Sequence, residues 1–185
     1  MTCIVGYKEN NGDIIIGCDK RTSYGDFYRT TAGGKIFQRN NILFGLSGSL
    51  RQAQIIQYEL IMPEHDSKLG DLEYLCGVLG AGMREILKKN DAWHVDEGRP
   101  DANIHGLIGY NSNIYHMSSD LAFLQSFQDY EVCGSGDQVA IGALMAFEPT
   151  TLTKQERVIK SIEIASRCIK SVDDQVCCKK ITVKS

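Results

Sequence analysis

The order of hydrophobic periods along the chain constrains its fold more than any single residue does. Two β-like runs come first, residues 2–7 and 14–19, and the Asn11-Gly12 step between them favours a tight hairpin. A second pair, residues 34–39 and 42–47, is separated only by Asn40-Asn41. The polar stretch between the pairs, residues 20–33, is predicted to be an exposed loop. From Ser49 the period lengthens: Leu50, Ala53, Ile56 and Leu60 recur at helical spacing until Pro63 stops them. A second helix is predicted over residues 71–89, with Leu72, Leu75, Val78, Leu79, Met83, Ile86 and Leu87 on its buried stripe. Gly77, Gly80 and Gly82 suggest that this helix packs closely on a neighbour. Strands over residues 102–109, 113–117 and 130–133 follow, the last running into Gly134-Ser135-Gly136. Two further helices, residues 137–147 and 153–171, precede a closing strand at 175–183, and Thr153 with Glu156 forms a capping box.

Runs of strands and runs of helices, without regular βα alternation, indicate an α+β protein of antiparallel sheets covered by helix pairs. Two sheets sandwiched between two helical layers account for both pairs. With 185 residues the chain fits one domain, residues 1–185, large enough to bury a core without staples. Its 20 Lys+Arg against 23 Asp+Glu argue against a general nucleic-acid or acidic-membrane binder. No apolar run reaches membrane-helix length, and the start has no signal-type stretch, so a cytoplasmic location is expected. The 7 cysteines show no C-x-x-C pair, which favours a reducing compartment. The 4 His form no i,i+4 pair, so neither a metal site nor a cofactor is implied.

Four local features carry possible chemistry, and each alone has an ordinary explanation. Thr2 follows Met1 and can be a plain strand residue; Asp19 ends an apolar strand and can be a solvated turn acid. Lys35 lies in Gly33-Gly34-Lys35-Ile36-Phe37, which is not a P-loop because the hydroxyl residue after the lysine is missing. The glycines of Gly45-Leu46-Ser47-Gly48-Ser49 and Gly134-Ser135-Gly136 suit tight strand-to-helix turns.

Taken together and in this order, the features resemble the N-terminal-nucleophile hydrolases, more closely the proteasome β-type subunits and the bacterial HslV-type peptidase. The resemblance spans nearly the whole chain through Thr2-Cys3-Ile4-Val5-Gly6, Gly17-Cys18-Asp19, Lys35-Ile36-Phe37, Phe44-Gly45-Leu46-Ser47-Gly48-Ser49 and Val132-Cys133-Gly134-Ser135-Gly136. It implies a four-layer αββα fold, in agreement with the element order, and a threonine endopeptidase that acts on polypeptides. A homo-oligomeric ring and an unfolding ATPase partner are implied by the resemblance alone.

The chemistry accounts for the residue types. A threonine hydroxyl needs a base, and an N-terminal residue carries one in its α-amino group, which normally titrates near pH 7.7–8.0. Removal of Met1 would free that amine on Thr2, with no longer leader to cut. By the resemblance, Lys35 would disfavour protonation of the amine and stabilise the alkoxide, while Asp19 would keep Lys35 charged and oriented. Gly45 is the expected oxyanion donor, Ser135 is expected to shuttle the amine's proton, and Thr22, Leu43 and Ser47, with Arg51 nearby, are expected to line the substrate pocket.

The chain departs from the family after its last long helix, where an Asp and a Ser are usual. Here Ile169 and Val172 fall near those places, with Ser171, Asp173 and Asp174 as alternatives. Retention of Met1 would instead make the chain a catalytically inactive structural ring subunit, and a third reading is an amidohydrolase for small amides. The segment 90–103 reads as a polar connector or subunit contact. Cys3, beside Thr2, is the thiol expected to be sensitive to oxidation.

Overall fold

The protein is described by a computed structural model over residues 2–24, 27–32, 35–96 and 98–182. Met1, Gly25, Gly33, Gly34, Glu97 and Val183, which figure in the sequence reading, lie outside the described residues. The strands are β1 (Cys3–Lys8), β2 (Ile14–Asp19), β3 (Arg21–Tyr24), β4 (Phe27–Thr30), β5 (Ile36–Arg39) and β6 (Ile42–Gly48). Helix α1 (Leu50–Tyr58) follows, then α2 (Asp71–Glu73), a π-helical segment at Tyr74–Leu79, and α3 (Gly80–Lys89). The second half holds β7 (His94–Asp96), β8 (Arg99–Asp101), β9 (Ile104–Tyr110), β10 (Asn113–Met117), β11 (Phe123–Gln125), β12 (Tyr130–Gly134), α4 (Asp137–Phe147), α5 (Lys154–Cys168) and β13 (Val176–Ile181).

Two antiparallel sheets form the centre, one in the order β12-β1-β2-β13 and the other in the order β11-β10-β9-β6-β5. Alternation along each strand dictates the layers. On β1, Cys3, Val5 and Tyr7 pack with Ala140, Leu144, Val158 and Ile162 of α4 and α5. Ile4 of the same strand faces the opposite way, into a cluster with Ile14, Ile16, Leu43 and Leu107 between the sheets. On β6, Ile42, Phe44 and Leu46 face Ile55, Ile56, Met83 and Leu87 of α1 and α3. The result is helices, sheet, sheet, helices: the αββα sandwich expected from the element order. Each fully buried Ile or Leu in these layers contributes on the order of 1.5–3 kcal/mol of transfer free energy.

Three details differ from the sequence reading. The stretch after Asp19 is not a plain loop, because β3 and β4 pair as a hairpin ribbon from Arg21↔Thr30 to Tyr24↔Phe27. The connector after α3 likewise holds a two-stranded ribbon, β7 with β8. The second helix winds through a π-helical segment; Leu75, Leu79, Met83 and Leu87 of the expected stripe are buried, but Leu72 is exposed, while Tyr74, absent from that stripe, is buried. Of its glycines only Gly80 is tightly packed, since a Cβ there would lie 3.2 Å from the Leu75 carbonyl oxygen and 3.3 Å from Phe123, whereas Gly77 faces open space. Gly17 shows the closest sheet-to-helix approach of the other layer, where a Cβ would fall 2.4 Å from Val158 of α5.

The helix starts behave as their sequences dictate. Ser49 accepts from the Gln52 N–H at the start of α1, and Thr153 and Glu156 close a reciprocal capping box on α5.

Candidate active site

Asp19 is the last residue of β2 and is completely buried. A buried carboxylate must be paired and hydrogen-bonded, and this one is. Its Oδ1 accepts from Lys35 Nζ at 2.8 Å and from the Cys3 N–H at 2.9 Å. Its Oδ2 accepts from the N–H groups of Arg21 at 3.0 Å and Asp173 at 3.4 Å. Lys35 lies just before β5, with its side chain 14% exposed, so the pair is nearly dry. Removing one partner from such a pair typically costs about 3–5 kcal/mol.

Thr2, just before β1, is buried and lines a cavity of 610 Å³ together with Lys35. Its N–H donates to Ser135 Oγ at 3.1 Å, and its carbonyl accepts from Ser135 Oγ and from the Gly136 N–H, each at 3.3 Å. Gly134 allows this contact: it has φ +99°, and a Cβ there would lie 2.3 Å from the Thr2 carbonyl oxygen. Ser135 Oγ in turn lies 3.4 Å from Ser171 Oγ.

The remaining expected residues divide. Thr22 and Ser47 line the cavity, alongside Ser23, Thr31 and Ala53. Leu43 does not, because it is fully buried between the two sheets, and Arg51 is exposed with its guanidinium on the Asn90 carbonyl. Gly45 also lies away from the cavity. It sits in mid-strand between Ile36 of β5 and Leu107 of β9, so a neighbouring strand flanks its backbone on either side. A Cβ at Gly45 would meet Ile16 at 2.9 Å and Ile4 at 3.0 Å, which makes the absence of a side chain there a packing requirement of the core. The glycine at the cavity is Gly48, which ends β6 with φ +103° and whose Cβ would fall 2.3 Å from the Asn103 carbonyl oxygen. A glycine directly before a helix N-cap serine was the signal for it in the sequence.

Ser47 and Gly48 also border a second cavity of 410 Å³ on their far side, with His105, His116, Ser135 and Asp137. Burial, followed by the neighbouring His116, lowers the His105 pKa, which favours its neutral form.

After α5 the ambiguity resolves by position. Val172 is buried on the helix-side core and Ile169 caps α5, so neither supplies a polar group. Ser171 reaches Ser135, and Asp173 is buried beneath Asp19. Asp173 accepts from Thr30 Oγ1 at 2.9 Å and lies 3.8 Å from the Arg21 guanidinium. Burial, the largest influence, raises its pKa, but the hydrogen bonds from Thr30, Gln175 and Asp174 and the charge of Arg21 hold it below the usual value. Arg21 also donates to the Lys170 carbonyl. The sequence marked none of the Arg21–Thr30–Asp173 group beyond naming Asp173 as an alternative, because Arg21 and Thr30 meet only by pairing across the β3–β4 ribbon and Asp173 lies 143 positions from Thr30.

The expectation for Cys3 is corrected. It is fully buried, and desolvation, followed by the charge of Asp19, pushes its thiol up to about 12, so it is neither accessible nor ionised. Among the described residues no group of three or more His, Cys, Asp or Glu could hold a metal ion, and no helix is long and apolar enough to cross a membrane.

Comparison with known proteins places this geometry in context. No family model matches the chain. The ATP-dependent protease subunit HslV of Petrotoga mobilis is 25% identical over 177 residues, which cover 94% of this chain and 93% of that protein. Among solved structures, Thiobacillus denitrificans BPH aligns with a TM-score of 0.82 at 17% identity, over 100% of this chain and 99% of that one. The same protein in complex with epoxomicin gives 0.82 at 16% identity, over 99% and 100%. Eukaryotic HslV from Trypanosoma brucei gives 0.67 at 13% identity, over 96% and 98%. These likenesses bear out the resemblance to the HslV-type proteasome β family and the α+β sandwich fold that goes with it.

Proposed function

We propose that this chain is a threonine endopeptidase of the HslV kind, with Thr2 Oγ as nucleophile after removal of Met1. The observation that carries the reading is the buried Asp19, which ties Lys35 Nζ and the Cys3 N–H to one carboxylate oxygen beside a cavity that Thr2 lines. That arrangement fixes an ammonium next to the residue that would bear the free amine.

In this mechanism the Thr2 α-amine takes the proton from Oγ as the hydroxyl attacks a peptide carbonyl. The Lys35 charge disfavours a second positive charge on the amine and stabilises the developing alkoxide. Ser135 Oγ, already hydrogen-bonded to the Thr2 nitrogen, orients the amine and relays its proton to the leaving group, and water then hydrolyses the acyl-enzyme. The Gly48 N–H, in place of Gly45, is the proposed oxyanion donor, a role typically worth ~10²–10³-fold in kcat. Thr22, Ser47 and Ala53 form part of the wall against which a substrate side chain would pack. By analogy with the ATP-dependent HslV relative, a homo-oligomeric ring and an ATPase partner are part of the proposal, as is a cytoplasmic location.

Intact mass tests the premise: the mature protein should lack one methionine residue. Epoxomicin, which BPH binds, should add its mass to the wild type but not to Thr2→Ala. Retained Met1, or Thr2→Ala protein that cleaves peptides at the wild-type rate, would reject the catalytic reading and favour an inactive ring subunit.

A further inference from the structure

The mechanism leaves unused two sulfurs that meet beneath the site. In the β2–β13 ladder Cys177 stands directly across from Cys18, and their Sγ atoms are 3.2 Å apart. Cross-strand neighbours have Cα atoms about 4.5–5.5 Å apart, inside the span that a disulfide bridges. Cys18 is fully buried, whereas Cys177 is half-buried and lines the cavity that holds Thr2 and Lys35. We infer that Cys177 and Cys18 form an oxidation site in the wall of the candidate active site, Cys177 reacting with a peroxide and Cys18 resolving the product into a cross-strand disulfide.

The surroundings select this pair over the other cysteines. The hydrogen bond from Cys18, then the charges of Lys20 and Lys35, outweigh burial and Asp19 and lower Cys177 to about 7, so a large fraction is thiolate at neutral pH. Its neighbour Cys178 points to the opposite, helix-facing side of β13, and burial, followed by the charge of Cys177, raises it to about 11. Burial raises Cys3 and Cys133 to about 12. A cavity that admits solutes therefore presents one activated sulfur with a second in contact behind it.

The chemistry balances with a hydroperoxide as oxidant. The Cys177 thiolate attacks the peroxide O–O bond; the S–O bond forms, and the departing hydroxide takes up a proton and leaves as water. Cys18 then attacks that sulfur, the S–S bond forms, the S–O bond breaks and a second water leaves. Two thiols and one hydrogen peroxide give one disulfide and two waters, with two electrons passing from sulfur to peroxide. A dithiol reverses the step by exchange.

The consequence for activity rests on the peptidase reading; the sulfur chemistry does not. Cys18 directly precedes Asp19, and its sulfur accepts a hydrogen bond from the Lys35 backbone. Bond formation brings the sulfurs closer than their present contact and pulls on both ends of the Asp19–Lys35 pair. Displacement of such a group by a fraction of an ångström lowers turnover by about tenfold or more.

The experiment treats the reduced, full-length protein with hydrogen peroxide in slight molar excess, blocks free thiols, and reads intact mass and a peptide map. The expected result is loss of two hydrogens, a crosslink between the Cys18 and Cys177 peptides, and reversal by dithiothreitol. Cys177→Ser should abolish the crosslink, Cys178→Ser should retain it, and Cys18→Ser should leave a sulfenic acid on Cys177 that a dione reagent tags. If Cys18→Ser fails to fold, the Cys177→Ser and Cys178→Ser comparison decides. Oxygen accumulating on Cys177 while Cys18 stays free, a crosslink through Cys178, or oxidation of the exposed Cys76 and Cys168 ahead of Cys177 would overturn the assignment. Peptide hydrolysis, each protein against its own untreated form, should fall about tenfold in wild type and recover with dithiothreitol. A crosslink without loss of turnover overturns the effect on activity, and a reduced wild type without turnover overturns the peptidase reading while the crosslink stands.

Discussion

Replacing Gly48 with alanine tests which glycine serves the reacting carbonyl. A Cβ at Gly48 would sit 2.3 Å from the Asn103 carbonyl oxygen, on a backbone with φ +103°. Comfortable carbon–oxygen contacts begin near about 3.3 Å, so β6 and the Asn103 backbone must part by about 1 Å. Strain at the positive φ adds about 1–3 kcal/mol, and crowding brings the total to about 2–6 kcal/mol. The middle of that range lies below the 5–15 kcal/mol by which typical domains are stable, so Gly48→Ala should fold with a lower urea midpoint. Its N–H moves with the strand, and a displaced oxyanion donor costs ~10²–10³-fold in kcat. Gly45→Ala supplies the contrast. Its Cβ would press on the Ile16 and Ile4 methyl groups at 2.9 and 3.0 Å, an overpacking cost of about 1–3 kcal/mol with no donor moved. Hydrolysis of a fluorogenic peptide and urea unfolding, run on both variants, separate the two roles. Gly48→Ala should lose at least ~100-fold in kcat, while Gly45→Ala loses stability alone. The opposite pattern, with turnover kept in Gly48→Ala and lost in Gly45→Ala, would refute the reasoning.

Other outcomes follow from the same geometry. Lys35→Met leaves the buried Asp19 without its cation, so it should lower stability by about 3–5 kcal/mol and kcat by ~100-fold or more; wild-type turnover in steady-state assays would remove Lys35 from the mechanism. Ser135→Ala removes the acceptor of the Thr2 nitrogen and should lower kcat more than it raises KM, with full turnover counting against a proton relay. The folded pKa of Asp173 is depressed, so its stabilisation is complete above the unfolded value of about 3.9 and is lost as pH falls through the folded one. Urea midpoints of Asp173→Asn should therefore decline less steeply than those of wild type below about pH 4, and identical acid limbs would contradict the linkage.

Most of the architecture was legible in the chain because the signals are local. Short continuous apolar runs such as Ile14-Ile15-Ile16 and Ile42-Leu43-Phe44, the Asn-Gly step and the Thr153–Glu156 box each act within a few residues, and they suffice to order the layers. The π-helical segment escaped notice because its wider turn leaves composition unchanged and keeps Leu75, Leu79 and Met83 buried. The short β3–β4 and β7–β8 ribbons were missed because their sequences carry no apolar period.

The sequence by itself determined the sandwich and the set of chemical groups, since strand period and the motif residues Thr2, Asp19, Lys35 and Ser135 are written in order along the chain. Only the tertiary structure decided which groups meet. Gly45 and Gly48 are three positions apart, yet one is wedged under Ile4 and Ile16 while the other ends its strand at the cavity. Asp173 reaches Asp19 from 154 positions away, and Cys177 meets Cys18 from 159. Strand register sets the thiol contact and the chain path after α5 sets the carboxylate one; each is a long-range packing outcome that no local spacing encodes.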